Sequence, residues 1–142
     1  MSIASLEPSS LAEAKALLEA SGLPTSDLTP EVRLLGERDG DRLVGVVGLE
    51  ARGAVGLLRS LAVEPGRRGG GLGSELVTAL ENVAAGGGIT ELYLLTTTAE
   101  AFFARRGYQR VPREAAPAGI RGTAEFASIC PASSAFMTKR LG

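Results

Sequence analysis

The sequence predicts an α/β chain built on a mixed sheet, and three observations carry that expectation. Strand-like and helix-like runs alternate along most of its length. Two of the strand-like runs meet at Asp39-Gly40-Asp41, a hairpin turn signal. A corner packed with glycines then joins a strand pattern directly to an amphipathic helix pattern. The expected order is β-α-β-β-β-α-β-α-β-loop-β. At 142 residues the chain has a one-domain length, and one domain is expected over 1–142.

Each element has its own warrant. From Ser9, "SSLAEAKALLEASG" places Leu11, Ala14, Leu17 and Leu18 on one helical face. Ser10 reads as its cap, Glu13 stands three residues on as in a capping box, and Gly22 closes it. "EVRLLGERDGDRLVGVVGLEA" is two strands around the Asp-Gly-Asp turn. Gly53 marks the next turn, and "AVGLLRSLAVEP" adds a third strand to the meander. After the glycine corner, Leu72, Leu76, Leu80, Val83 and Ala84 form an apolar stripe on a helix from about Leu72 to Ala85, ended by Gly86-Gly87-Gly88. "ITELYLLTTT" reads as a strand, "AEAFFARRG" as a short helix and "YQRV" as the start of another strand. Residues 112–131, rich in Pro, Ala and Gly, read as a loop with a short helical turn, before a last strand in "SAFMTKRL".

Composition excludes several chemistries. With 44% apolar and 22% charged residues and a net charge of −1, the chain offers no electrostatic reason to bind nucleic acid or an anionic membrane. Its longest apolar run, Leu43 to Leu49, is too short to span a bilayer, and "MSIASLEP" does not read as a signal peptide. The lone cysteine, Cys130, cannot form an internal disulfide, which makes a reducing cytoplasm the expected location. Without histidine there is no Ser-His-Asp triad, Cys-His pair or His-based metal site, and one cysteine cannot build a zinc cage. No metal is expected. Catalysis must use carboxylates, hydroxyls, arginine, backbone amides or a cofactor that brings its own reactive group.

The corner "VEPGRRGGGLGSELV" suits a phosphate, and three designs compete for it. A P-loop needs lysine after its second glycine; Gly66 and Gly71 have the spacing, but Leu72 follows. Gly69-x-Gly71-x-x-Ser74 approaches a dinucleotide fingerprint, but Glu91 lies near the start of the following strand rather than its far end. The third design, R-x-x-G-x-G, is met by Arg68-Gly69-Gly70-Gly71-Leu72-Gly73 at a helix start. There the first amides have no helical acceptor and carry the positive end of the dipole, so a pyrophosphate can settle on them.

"SLAVEPGRRGGGLGSELVTAL" resembles the acyl-CoA-binding segment of the GNAT N-acetyltransferases: a strand, V-x-P, R-x-x-G-x-G and a helix. "LYLLTTTAEAFFARRGYQRV" resembles that family's second signature, A-x-x-F-[YF]-x-x-x-G-[FY] after a strand. The two segments and the meander before them cover most of the chain in the family's order. The resemblance implies the GNAT fold: a mixed central sheet of six to seven strands, helices on both faces, and a splayed strand pair holding acyl-CoA. It implies acetyl-CoA as acetyl donor and a small-molecule amine as acceptor, and it leaves a homodimer open. By analogy, Arg68, Gly69, Gly70, Gly71, Leu72, Gly73 and Ser74 would hold the pyrophosphate. The backbone of Leu61, Ala62 and Val63 would pair with the pantetheine arm, with Thr96 and Phe103 beside the cofactor. The amide of Leu61 would polarise the acetyl carbonyl.

The chain departs from that pattern in ways that bear on the acceptor. Phe103 stands where many members carry a tyrosine that protonates the leaving thiolate, and Thr96 where asparagine is common. Tyr108 corresponds to a packing aromatic or, alternatively, donates the proton in place of that tyrosine. A thiol with a pKa near 8.5 is a fair leaving group, and an α-amino group near 8 is already partly neutral, so loss of the acid favours an amino-acid-like substrate over a lysine-like amine. Glu50 ends the second strand of the meander, either as a base reaching the slot directly or through water, or as an exposed strand end. Arg59, beside the acetyl position, either attracts a substrate acid group or points to solvent. Ser60 faces the other side by strand alternation unless a bulge intervenes.

"GLLRSLAV", "LYLLTTTAEAFFARRGY" and "EFASICPASSAFM" together resemble the arsenic-resistance N-acetyltransferases, which acetylate the α-amine of arsinothricin, an arsenical glutamate analogue. That likeness implies an acid group for Arg59 and a substrate-covering loop over 112–131 that includes Arg121 and Cys130. Other acceptors, such as a polyamine, an aminoglycoside or a protein N-terminus, remain open, as does an acyl-CoA sensor without catalysis.

Overall fold

The computed structural model describes residues 3–23, 25, 26, 28, 32–67, 70–129 and 134–141, with the side chains of 128 and 129 left out. Among these, seven strands form one mixed sheet in the order β1-β2-β3-β4-β5-β7-β6. The strands are β1 (Ala4–Ser5), β2 (Arg33–Asp39), β3 (Arg42–Arg52), β4 (Val55–Val63), β5 (Glu91–Thr96), β6 (Gln109–Arg110) and β7 (Ala135–Arg140). The helices are α1 (Leu11–Ala20), α2 (Leu72–Gly86), α3 (Glu100–Ala104) and α4 (Ala118–Arg121). The element order is the one the sequence predicts. The chain divides into two compact units, one of residues 1–50 and 58–83, the other of residues 51–57 and 84–142.

In the first unit, β1, β2 and β3 run antiparallel. Gly40, at φ 63°, turns the β2–β3 hairpin between the cross-strand partners Asp39 and Arg42, as the Asp-Gly-Asp signal requires. The core here gathers Ala14 and Leu18 of α1 with Leu34, Leu43, Val46 and Ala62, while Leu11 and Leu17 pack against it half-buried. Gly45 lets α2 lie close: a Cβ there would meet Leu76 Cδ1 at 2.9 Å and Leu72 Cδ2 at 3.0 Å. Leu72, Leu76 and Leu80 of α2 are buried, and Val77 joins them.

The start of α1 departs from the expected capping box. Ser10 makes no side-chain cap hydrogen bond. Its hydroxyl accepts from Arg38 Nη2 at 2.9 Å. The Glu13 carboxylate accepts from Arg38 Nη1 at 2.7 Å and from the Leu43 amide at 3.0 Å. Two donors from the hairpin, the Arg38 guanidinium and the Leu43 amide, thus take the carboxylate that a capping box would turn back on the helix's own amide, and the guanidinium bond joins two opposite charges. The C-terminus behaves as expected: Gly22 at φ 75° follows the helix, and the Leu23 amide donates to Leu18 O.

In the second unit, Val55, Gly56 and Leu57 of β4 pair in parallel with Glu91, Leu92 and Tyr93 of β5. Strand β7 pairs antiparallel with β5 and with β6. Leu57, Tyr93, Ala116, Ile120 and Phe136 form its core, with Val55, Leu95, Val111 and Phe126 against them. Tyr93 stacks on Phe136 at 5.4 Å, and Phe126 meets Phe136 edge-on at 5.3 Å. Burial raises the Tyr93 phenol above its ordinary range, and the nearby Glu91 carboxylate adds to the rise. The expected loop over 112–131 contains a 3₁₀ turn at Arg113–Ala115, α4, and a π-helical turn at Glu125–Ile129.

Candidate active site

Two groups of predicted site residues fall in the first unit. The first is the glycine corner. Strand β4 ends at Val63, the Glu64 amide donates to Val44 O at 2.8 Å, and Pro65–Arg67 makes a 3₁₀ turn. Gly71, exposed, adopts φ 86°, a left-handed conformation that L side chains resist, and among the described residues, its chain neighbours aside, no atom lies within 4 Å of where its Cβ would stand. The first backbone bond of α2 runs from the Glu75 amide to Gly71 O at 3.0 Å. The amides of Gly71, Leu72 and Gly73 therefore precede the helical ladder, at the positive end of a 15-residue helix dipole. Gly70 is exposed beside them. Arg68 and Gly69 lie outside the described residues.

The second group is Glu50, Arg59 and Ser60. Arg59 Nη1 donates to Glu50 Oε1 at 2.6 Å, and the Arg59 side chain has no exposed surface while that of Glu50 retains 10%. Gly48 makes room for this arginine: a Cβ there would stand 3.3 Å from Arg59 Cγ and 3.2 Å from Leu34 Cδ2. Strand alternation fails at the next residue. Ser60 takes φ 59°, a left-handed value that a non-glycine residue occupies only under tertiary constraint. As a result the two neighbouring side chains meet, Arg59 Nε donating to Ser60 Oγ at 3.0 Å, and both are buried. The turned backbone leads directly into Leu61, Ala62 and Val63 at the end of β4.

The remaining predicted residues lie in the second unit. Thr96 ends β5, and its hydroxyl accepts the Ala99 amide at 3.0 Å ahead of α3. Phe103 is buried, edge-on to Phe102 at 5.1 Å and to Tyr108 at 5.5 Å. Arg121 donates to Ala116 O at 2.9 Å and to Glu114 O at 2.7 Å, so its guanidinium ties its own loop together. Cys130 lies outside the described residues. Among the described residues no cluster of three or more His, Cys, Asp or Glu has the arrangement to hold a metal ion. Among the described residues no helix is long and apolar enough to cross a membrane.

Sequence reasoning passed over Gly48, Asp39 and Arg67. Gly48 sits in an ordinary strand pattern, and nothing local announces that Arg59 needs its empty face. Arg67 and Asp39 form an ion pair across 28 residues of chain, which only the folded hairpin brings together.

The family model described as "Acetyltransferase (GNAT) family" matches residues 6–110. The chain belongs to that family. The amino-acid acetyltransferase of Pseudomonas aeruginosa strain LESB58 is 43% identical over 63 residues, which are 44% of this chain and 15% of that protein. The chain thus spans only a small part of the length of the curated relatives it matches. Among solved structures, N-acetylglutamate synthase from Neisseria gonorrhoeae, complexed with coenzyme A and N-acetyl-glutamate, superposes with a TM-score of 0.78 at 25% identity. That likeness covers 100% of this chain and 36% of the synthase. A Mycobacterium tuberculosis protein in complex with CoA gives a TM-score of 0.81 over 100% of both chains, at 21% identity, a likeness of fold alone. The GNAT assignment agrees with the expected α/β architecture and its seven-stranded mixed sheet.

Proposed function

We propose that this GNAT chain is an acetyl-CoA-dependent N-acetyltransferase acting on the α-amine of an amino-acid-like compound. Arsinothricin is its acceptor, and detoxification in a reducing cytoplasm its role. The observation that carries the reading is the start of α2, where left-handed Gly71 and exposed Gly70 leave amides bare of side chains at the positive end of a long helix. A coenzyme pyrophosphate is the ligand this cradle suits. The coenzyme A bound to the gonococcal synthase supports the same choice.

In this reading the pantetheine arm runs along Leu61, Ala62 and Val63, and the Leu61 amide donates to the acetyl oxygen. The positive φ of Ser60 turns the chain immediately before that amide. Arg59 and Ser60, both buried, supply donors to the acceptor's acid group as its binding displaces the side chains that cover them, and Glu50 holds the guanidinium in place. The neutral α-amine attacks the thioester carbon, forming a C–N bond and a tetrahedral oxyanion. Collapse breaks the C–S bond, the amine proton passes through water to the Glu50 carboxylate, and the coenzyme thiolate takes a proton from solvent. A donor to the oxyanion is worth roughly a hundredfold in rate. The glutamate chemistry named for the gonococcal synthase and the arsinothricin-type segments in this sequence both support an acceptor with an α-amine and a second acid group.

Thiol release in mixtures of the protein, acetyl-CoA and single acceptors tests the reading. Arsinothricin, phosphinothricin and L-glutamate are compared with spermidine and an aminoglycoside. Turnover is expected with the amino-acid-like acceptors, arsinothricin foremost. Turnover on spermidine alone would sink the acceptor assignment, and coenzyme binding with no turnover on any acceptor would support the sensor instead.

A further inference from the structure

The glycine corner is tied to the β2–β3 hairpin at both ends of its 3₁₀ turn. At the near end, Arg42 Nε lies 2.9 Å from Glu64 Oε2, one residue before Pro65. At the far end, Arg67 Nη2 pairs with Asp39 Oδ2. The Arg67 amide donates to Glu64 O at 2.8 Å, so the two corner residues close a single turn. On the hairpin side, Asp39 and Arg42 are direct cross-strand partners flanking Gly40-Asp41. An acid and a base at the hairpin tip therefore meet a base and an acid across the turn, as two ion pairs of opposite sense. Arg67 O stands 3.6 Å from the place of a Gly70 Cβ, so this turn borders the cradle directly.

We propose that Asp39 and Arg42 are positioning residues for the cofactor. They fix the turn from Glu64 to Arg67 and, through it, the amides of Gly71 and Leu72. The inference rests on the coenzyme A reading above. Its physical reason lies in the glycines. Residues without side chains admit the phosphates, but they cannot lock the backbone, and an unlocked cradle loses affinity to the ordering it must undergo on binding. The restraint has to come from outside the corner. Arg67 serves here as a strut, with its guanidinium on Asp39. All four side chains retain solvent exposure, so each pair is a modest restraint rather than a rigid clamp.

The test is acetyl-CoA affinity and steady-state kinetics of the whole chain carrying Asp39→Asn, Arg42→Gln or Asp39→Glu. Asp41→Asn serves as a control that removes the same charge from the same turn. Asp39→Asn and Arg42→Gln are each expected to raise the dissociation constant and KM for acetyl-CoA by about three- to fivefold. Acceptor KM and kcat at saturating cofactor stay within twofold. Asp39→Glu is expected to restore most of the affinity, and Asp41→Asn to leave it unchanged. Hydrogen exchange at the amides of 66, 67 and 70–72 should quicken in Asp39→Asn without a fall in Tm that would signal general unfolding. If Asp39→Asn binds acetyl-CoA as well as the parent protein or better, the carboxylate merely opposes the phosphates and this inference falls alone. If the parent protein fails to bind acetyl-CoA, the cofactor reading falls and takes this inference with it.

Discussion

Arg59 is buried against Glu50, with 2.6 Å between its Nη1 and the carboxylate Oε1, on adjacent strands of one compact unit. A buried pair of this kind is weak evidence for stability, because taking both charges out of water offsets most of their attraction. Breaking it is another matter. Removing one partner leaves the other charge in a site built for a pair, at a cost of about 3 kcal/mol. Glu50→Ala and Arg59→Met are each expected to destabilise by roughly that amount in urea titrations. The double variant Glu50→Ala/Arg59→Met should lose less than the sum of the two, by a coupling of at least ~1 kcal/mol. Additive losses would show that the two charges are stabilised independently.

Gly48→Ala separates the placement of Arg59 from its charge. The new methyl would stand 3.2–3.3 Å from Leu34 Cδ2, Arg59 Cγ and Arg59 O, so these atoms must shift by a few tenths of an ångström. Alanine also lowers the entropy of the unfolded chain, and the two effects oppose each other within about 1 kcal/mol. Stability should change little. Acceptor KM is expected to rise several-fold while acetyl-CoA KM stays constant, because the displaced group is the arginine proposed to meet the acceptor's acid. Equal increases in both constants would place the arginine elsewhere in the reaction.

Legibility in the sequence followed the range of the interaction. The hairpin at Gly40, the glycine end of α1 at Gly22 and the apolar stripe of α2 rest on local turn chemistry or helical periodicity, and each appears where the sequence places it. The alternation at Ser60 was not legible in that way. Its φ of 59° is imposed by the fold, so the sequence supplied the condition but not the outcome. Glu13 shows the same limit: its spacing from Ser10 spells a capping box, yet Arg38 and the Leu43 amide, both more than twenty residues away, take the carboxylate. The motif R-x-x-G-x-G singles out Arg68 and gives its neighbour Arg67 no role. Only the distant Asp39 shows Arg67 to be part of a brace. The glycine corner was the most readable part of the candidate site, because its chemistry is written in consecutive residues.

The left-handed Gly71 makes its own prediction. An L side chain at φ 86° costs roughly 1–2 kcal/mol, even though space around the position is open. Gly71→Ala is therefore expected to lower stability by that amount or to rotate the backbone out of the left-handed region. Either response disturbs the amides at the start of α2, and acetyl-CoA affinity should fall about tenfold or more. Gly66→Ala is the matched control: it too has open space but no positive φ, and its affinity should stay close to that of the parent. Calorimetric titration with acetyl-CoA reads both variants. Equal affinities would remove Gly71 from the cradle.

Glu13 ties stability to pH. The Arg38 guanidinium, followed by the Leu43 amide, holds its carboxyl below the usual range. A carboxylate with a lowered folded pKa binds its proton less readily when folded than when unfolded. Its stabilisation is therefore present above the unfolded value of about 4.3 and is lost as pH falls through the lowered folded value. Glu13→Gln should lower Tm at pH 7 by a few degrees at most, since the side chains are partly exposed and solvent screens them. The gap between the two proteins should hold from pH 7 down to about 5, then narrow and close as the pH falls further. Thermal unfolding across that range checks it. A gap that persists at pH 2–3 would assign the role of Glu13 to packing, and one that widens on acidification would reverse the sign of the shift.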